Sequence, residues 1–488
     1  MVAATAEPLV AQSEPQVAPS WRASRLSLVA GLVSLGSALR LLHYVWNHTI
    51  WYDESVLLFN VLDKGILRLL GPLDFEVAAP PLYLWSLRAS WLLFGDHAYV
   101  WRLPPFLIGC LTLAILAGLA VKTLPPGPAA LFVALVAFSD AFVVLGSTIK
   151  PYIFDAFFAS GILYAFIATQ NWPTRRRMLL FAAAAPLLIS FSYPMMFIYA
   201  GLALAFLPAM LDRGTRSWIG AFALLATTAA TFAVLALGPM HAQRVPVLVA
   251  GWMNKFPDWS RPASVPGWTL GNTALVFHYC FNPVGAGCLL LAGVGAWSCF
   301  KKGRGDWVGL CLGPVAACFV AACVHAYPYS NNRLILFAAP GIGFMTVLGV
   351  DALVQRFGAQ RPFLMPGLAF LLIVPEIALC GLRIHTPWVR PDAVGMTRYV
   401  NQHRETNDLV ASDEANYCYF FFGTLRYVSD PDETFRPERP GQRVWFLQDY
   451  PEIRAAAIRA RHFPALHWEC REETSFFRGQ VWLFVAKK

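Results

Sequence analysis

Long apolar runs alternate with short cationic turns along most of this chain. Runs at 26–45, 103–121, 129–146, 149–169, 218–237, 334–354 and 363–382 carry few charges. A helix of about 20 apolar residues crosses a hydrocarbon core of about 30 Å, and lipid accepts only segments that satisfy their own backbone hydrogen bonds. Two further stretches form a tight pair at 178–211, interrupted near Ser192, Tyr193 and Pro194, and two more run down to Lys301 and back up to Tyr327. The pattern predicts roughly eleven spans. The segment 80–95 is apolar but short and carries Arg88, so a membrane-surface or re-entrant helix suits it better than a span.

After His385 the pattern changes to ordinary soluble sequence. A helix is predicted at 392–404, strands at 409–411, 443–447 and 481–485, and a helical stretch at 451–462, which together make a small α/β domain at 386–488. Residues 1–25, rich in Ala, Pro, Ser and Gln, read as a disordered tail. Arg40 and His43 stand where a signal peptide would need small residues, so the first helix is expected to be retained.

Composition strengthens the membrane reading. The chain is 57% hydrophobic and 14% charged, with a mean hydropathy of +0.51, whereas soluble proteins carry roughly a quarter charged residues. A single-domain soluble fold is excluded. The net charge of +9 is gathered in the turns between apolar runs, which speaks for membrane orientation and against nucleic acid. Arg22 and Arg25, Lys122, Arg175 to Arg177, Arg213 and Arg216, Lys301 to Arg304, and Arg356 with Arg361 all fall on one side, taken as cytoplasmic, if 80–95 does not cross. The loop 46–101 and the C-terminal domain are then expected outside. Most of the ten cysteines lie in apolar runs, no metal-type spacing occurs, and Cys418 and Cys470 are the pair left in soluble sequence.

The first external loop opens on Trp51, Tyr52, Asp53 and Glu54, about six residues past a span. Taken alone, two adjacent acids there are a solvated helix cap as readily as a catalytic pair. Lys150 and Arg333 at helix ends read equally as cations for an anionic ligand or as interfacial snorkellers, and Tyr152 as an interfacial anchor. Asp155 lies about a turn into an apolar helix. An ionisable group there needs a polar cavity or a partner, with Lys150 or Arg333 the nearest candidates. His241, His278 and His325 are isolated.

The loop as a whole says more. The strings WYDE at 51–54, PPLYLW at 80–85, Phe94-Gly95 and WRLP at 101–104 resemble, in this order, the first luminal loop of the GT-C glycosyltransferases. The branch resembled is that of the protein O-mannosyltransferases and aminoarabinose transferases, family 39-like. Two further stretches join it: Ser147, Thr148, Ile149, Lys150, Pro151, Tyr152 and Asp155, and then Tyr327, Pro328, Ser330, Asn332 and Arg333 ahead of Pro340. The charge count, made without these motifs, puts all three stretches on the external side.

The resemblance implies an all-α polytopic membrane protein of GT-C fold, with the transmembrane domain at 26–385 and the small α/β domain extracytoplasmic. It implies an inverting transferase moving a hexosyl or pentosyl unit from a polyprenyl-phosphate donor to a glycan, lipid or protein hydroxyl. Asp53 maps to the general base and Glu54 to an orienting group beside it. Arg333, Lys150 and Arg102 map to the donor phosphate, although Arg102 serves equally well as an ion-pair partner for a first-loop acid. Tyr52, Tyr83, Tyr152, Asp155, Asn332 and Tyr327 map to substrate contacts. No cofactor is implied firmly, a divalent metal being compatible, and the expected setting is a bacterial inner membrane with the site facing the periplasm. A flippase or transporter would need internal repeats, and a glycan polymerase or ligase a large late loop; neither is present.

Overall fold

The computed structural model describes residues 19–211, 217–244, 250–385, 390–450 and 460–488. The expected tail and most of the stretch at 451–462 lie outside the described residues. The membrane part begins with α1 (Pro19–Trp46). The first loop folds as α2 (Tyr52–Asp63) and α3 (Pro81–Phe94), followed by α4 (Ala98–Thr123), α5 (Pro126–Phe138), α6 (Asp140–Leu145), α7 (Tyr152–Ala168), α8 (Thr174–Phe191), α9 (Met195–Leu211) and α10 (Trp218–Leu237). Then come α11 (Val265–Cys280), α12 (Gly285–Lys301), α13 (Gly305–Cys323), α14 (Ala339–Phe357) and α15 (Leu364–His385).

The span count differs from the expected eleven. Among the described residues, six helices are long and apolar enough to cross a membrane. A seventh is gained if the segments carrying α11 and α12, bent by 104°, make one broken span. Helices α5, α7 and α9 are apolar but have 17 residues or fewer. Apolar length in a sequence does not reveal where a helix stops. The run 129–146 is cut at Ser139, whose hydroxyl donates to the Cys280 carbonyl at 3.0 Å, and α5 and α6 meet there. Between α11 and α12, Pro283 has no N–H to continue a helix.

Helix α3 has 14 residues, about 21 Å at 1.5 Å per residue, which is too short to cross. It buries Tyr83, Leu84 and Leu87 and leaves Leu92, Leu93 and Phe94 exposed. Elsewhere, lipid-solvated helices pack by close backbone approach at small residues. A Cβ on Gly349 of α14 would stand 1.9 Å from the Leu291 carbonyl oxygen, and one on Gly295 of α12 would stand 2.2 Å from that of Met345.

The C-terminal domain carries α16 (Ala393–His403), α17 (Tyr417–Phe420), and strands β1 (Leu409–Ser412), β2 (Leu425–Tyr427), β3 (Arg443–Asp449), β4 (Trp468–Phe476) and β5 (Gly479–Ala486). They form one five-stranded sheet in the order β2-β1-β3-β5-β4, with β1 parallel to both neighbours and β5 antiparallel to both of its own. Side chains alternate faces along a strand. Trp445, Leu447, Val481 and Leu483 therefore join a core with Met396 and Val400 of α16, while Phe446, Trp482 and Phe484 face Phe463 on the other side. The predicted strands are all present. Strands β2 and β4 were not anticipated, because β2 is three residues long and β4, with sequence WECREETSF, is polar and mostly exposed. No disulfide joins Cys418 and Cys470. The domain rests on the first loop: Phe422 packs on Phe59 at 5.5 Å, Tyr427 on Phe75 at 5.4 Å, and the Tyr419 hydroxyl donates to Asp96 at 2.8 Å.

Candidate active site

Helix α2 starts at the acid pair, where carboxylates are favoured by the unpaired N–H groups of a first turn. One turn points the two acids in different directions. Asp53 faces outward and forms a direct ion pair with Arg333, 280 positions away in sequence. Arg333 opens the short 3₁₀ helix Arg333–Ala338 that leads into α14, and its guanidinium stands 5.0 Å over the ring of Trp51 and 5.6 Å over that of Tyr152.

Glu54 faces inward and is fully buried. It accepts from Arg102 at 3.1 Å and from the Ile149 backbone N–H at 2.8 Å, and Arg390 lies 3.6 Å away. Arg102 also donates to Asn47 Oδ1 at 2.8 Å and to the His48 carbonyl. This carboxylate thereby ties together the first loop, α4, the turn before α7 and the chain leaving α15. The cation of Arg102 is taken up by Glu54. It does not line the large cavity described next, and of the two expected readings the geometry shows the ion pair with a first-loop acid.

A cavity of about 530 Å³ opens beside Arg333. Its polar wall includes Asn331, Asn332, Arg333, Arg390 and Tyr450, and α6 contributes Ala141, Val144 and Leu145 as an apolar flank. Asn332 is engaged locally, its side chain accepting from the Leu334 N–H at 2.9 Å and donating to the Ser330 carbonyl at 3.2 Å. Tyr327 donates to the Leu334 carbonyl at 2.9 Å and so fixes the same turn. Arg390 was not singled out from sequence. It follows the last apolar helix like an ordinary flanking cation, and only the fold returns it to within 5.0 Å of the Trp51 ring. Burial lowers its pKa, opposed by the Glu54 carboxylate.

The other expected site residues lie deeper. Lys150 is buried outside this cavity, where desolvation lowers its ammonium to about 8 against the opposing pull of Glu54. Tyr83 is fully buried at 5.3 Å from Phe154, and its hydroxyl has no hydrogen-bond partner. Asp155 is also buried, with Oδ1 unpartnered, and it pairs with neither Lys150 nor Arg333. That expectation is corrected: Arg333 reaches Asp53 instead. Tyr52 is exposed and lines a second cavity on the side of the C-terminal domain. Among the described residues, no three His, Cys, Asp or Glu side chains come together as a metal site.

The chain superposes on the crystal structure of ArnT from Cupriavidus metallidurans bound to undecaprenyl phosphate with a TM-score of 0.55. Identity is 13%, and the match covers 96% of this chain and 98% of that one. The fold is that of the GT-C glycosyltransferases. The apo form of the same ArnT matches with a TM-score of 0.53 at 13% identity, over 93% of this chain and 98% of that one. The apo oligosaccharyltransferase of Archaeoglobus fulgidus matches with a TM-score of 0.50 at 13% identity, over 94% of this chain and 74% of that one. No protein-family model and no curated protein matches the sequence. The GT-C likeness thus rests on tertiary structure, and it spans both the helical part and the C-terminal sheet.

Proposed function

We propose that this protein is a membrane glycosyltransferase that moves a sugar from a polyprenyl-phosphate donor to an acceptor hydroxyl on the outer face of a bacterial plasma membrane, with inversion. The observation that carries this reading is the Asp53–Arg333 ion pair at a cavity with an apolar flank and two guanidinium groups. An amphiphilic phosphate needs such a wall: apolar surface for the tail, and cations for the head.

In the reaction the acceptor oxygen attacks the anomeric carbon as its proton passes to Asp53. The bond from that carbon to the phosphate oxygen breaks, and the electron pair leaves with the phosphate. Arg333, joined by Arg390, stabilises the charge that grows there. Without donor, Asp53 and Arg333 satisfy each other. A phosphate competing for Arg333 would release the carboxylate, so that base and electrophile are readied together. Glu54 acts as a positioning residue behind them. The cationic turns assigned to the cytoplasm support the outer-face orientation.

The test is transfer in proteoliposomes together with lipid retention. Asp53→Asn should cost about 10² to 10⁴ in turnover, the usual range for a general base, while co-purified polyprenyl phosphate stays bound. Arg333→Lys should lose donor affinity although it keeps the charge, because lysine lacks the planar two-pronged donor. Asp53→Asn activity within about tenfold of wild type would remove Asp53 from the role.

A further inference from the structure

One indole ring serves both cations of the cavity beside Arg333. The Arg333 guanidinium lies 5.0 Å over the ring of Trp51, and that of Arg390 lies 5.0 Å over the same ring. The two cations therefore stand no farther apart than twice that distance. They reach it from different parts of the chain, Arg333 from the 3₁₀ helix ahead of α14 and Arg390 from the segment after α15. All three side chains line the one cavity.

Like charges gathered so closely repel each other. Asp53 offsets this on Arg333, and Glu54, 3.6 Å away, offsets it on Arg390. The first of these carboxylates is a temporary partner, because in the reaction above a phosphate takes Arg333 from Asp53 and leaves the base free. What then remains on Arg333 is aromatic: the ring of Trp51, and that of Tyr152 at 5.6 Å. A ring face attracts a cation while carrying no net charge. It holds the guanidinium without repelling the incoming anion, which a third carboxylate would do.

Trp51 suits this task in several ways. Among aromatic side chains indole attracts cations most strongly, and the attraction grows as the pair is taken out of water; the Arg333 and Arg390 side chains are 30% and 17% exposed. Its Nε1 is buried without a hydrogen-bond partner, so the ring face is what it offers its neighbours. Its backbone is fixed at the start of α2, where its carbonyl accepts from the N–H groups of Glu54 and Ser55, each at 2.9 Å. The ring and the proposed base Asp53 are thus carried by the same helical start.

We propose that Trp51 is a positioning residue for the donor, whose indole face holds Arg333 and Arg390 together as a two-armed clamp for the lipid phosphate and keeps Arg333 in place once Asp53 has let go. The inference rests on the transferase reading above and adds the residue that sets the spacing of the two cations.

The test measures undecaprenyl phosphate affinity by native mass spectrometry of the full chain in lipid nanodiscs, with the ring at position 51 altered in its electrostatics at nearly constant shape. Trp51→Leu should weaken binding by roughly tenfold and Trp51→Phe by about threefold, as the attracting face is lost or reduced. Trp51→pentafluorophenylalanine, introduced by amber suppression, keeps the phenyl shape but reverses the sign of its face, and should bind at least about threefold more weakly than Trp51→Phe. In an Arg390→Met background, Trp51→Leu should cost about threefold less than it does in the wild-type background, since one of the two cations is gone. A ring needed only for packing would give Trp51→Phe and its fluorinated counterpart the same affinity, and that equality, or full additivity with Arg390→Met, would overturn the inference. If wild type binds no undecaprenyl phosphate, the donor reading fails. If wild type binds it and the two phenyl variants bind it equally, the inference about Trp51 fails alone.

Discussion

Replacing Glu54 by glutamine separates its charge from its shape. The glutamine carbonyl oxygen can still accept from the Ile149 N–H, now met at 2.8 Å by Oε1, so that bond is kept. The counter-charge is lost. Arg102, with 2% of its side chain exposed, faces Glu54 at 3.1 Å, and Arg390, with 17% exposed, lies 3.6 Å away. Stranding one buried guanidinium by removing its partner costs roughly 3–5 kcal/mol. Arg102 sets that scale, and the partly wet Arg390 adds less. Glu54→Ala also orphans the Ile149 N–H and should cost a further 1–3 kcal/mol or so. The double variant Glu54→Gln/Arg102→Met should recover part of the loss by removing the stranded cation, although Asn47 and the His48 carbonyl then lose their donor. Denaturant unfolding in detergent, followed by tryptophan fluorescence and arranged as a double-mutant cycle, measures this coupling. A Glu54→Gln protein within about 1 kcal/mol of wild type would refute the view that this carboxylate joins the four segments around it.

Gly349→Leu should fail to pack or lose several kcal/mol, since even a Cβ meets the Leu291 carbonyl oxygen at 1.9 Å; the thermal stability of the solubilised protein reads this directly, and a stable variant would mean the two helices are free to separate. Burial raises Asp449 from the ordinary 3.8 to about 6, against the pull of hydrogen bonds from Tyr417 and Asn416. A carboxyl raised in the folded state favours folding at low pH, and that contribution is lost as pH rises through the folded value. Asp449→Asn should therefore flatten the fall in stability across that window, and an unchanged slope, followed by the fluorescence of Trp445 and Trp482, would refute the assignment. Single cysteines on both sides of 80–95 should be labelled from outside the cell, because only then do the later cationic turns face the cytoplasm. Labelling of position 98 from the cytoplasmic side alone would reverse the orientation.

Much of this protein was legible along the chain because partition into lipid is a local property. Hydrophobic runs and cationic turns marked the helical part, short β-branched and aromatic runs marked β1, β3 and β5, and the strings around Asp53, Lys150 and Arg333 marked the loops that converge. What the sequence could not reveal was termination and pairing. The break at Ser139 falls at a single polar pair, Ser139-Asp140, inside a run that is otherwise apolar, and β4 carries a surface pattern that gives no core signal, so the number of spans and the edges of the sheet were decided by packing. The division of labour between two adjacent acids was decided in the same way. Asp53 and Glu54 are neighbours in sequence, but one turn of helix sends the first to Arg333 and the second to Arg102 and Arg390. Ion pairs of this kind join residues that only the fold brings together, and burial determines whether each charge acts as a reagent or as a tie.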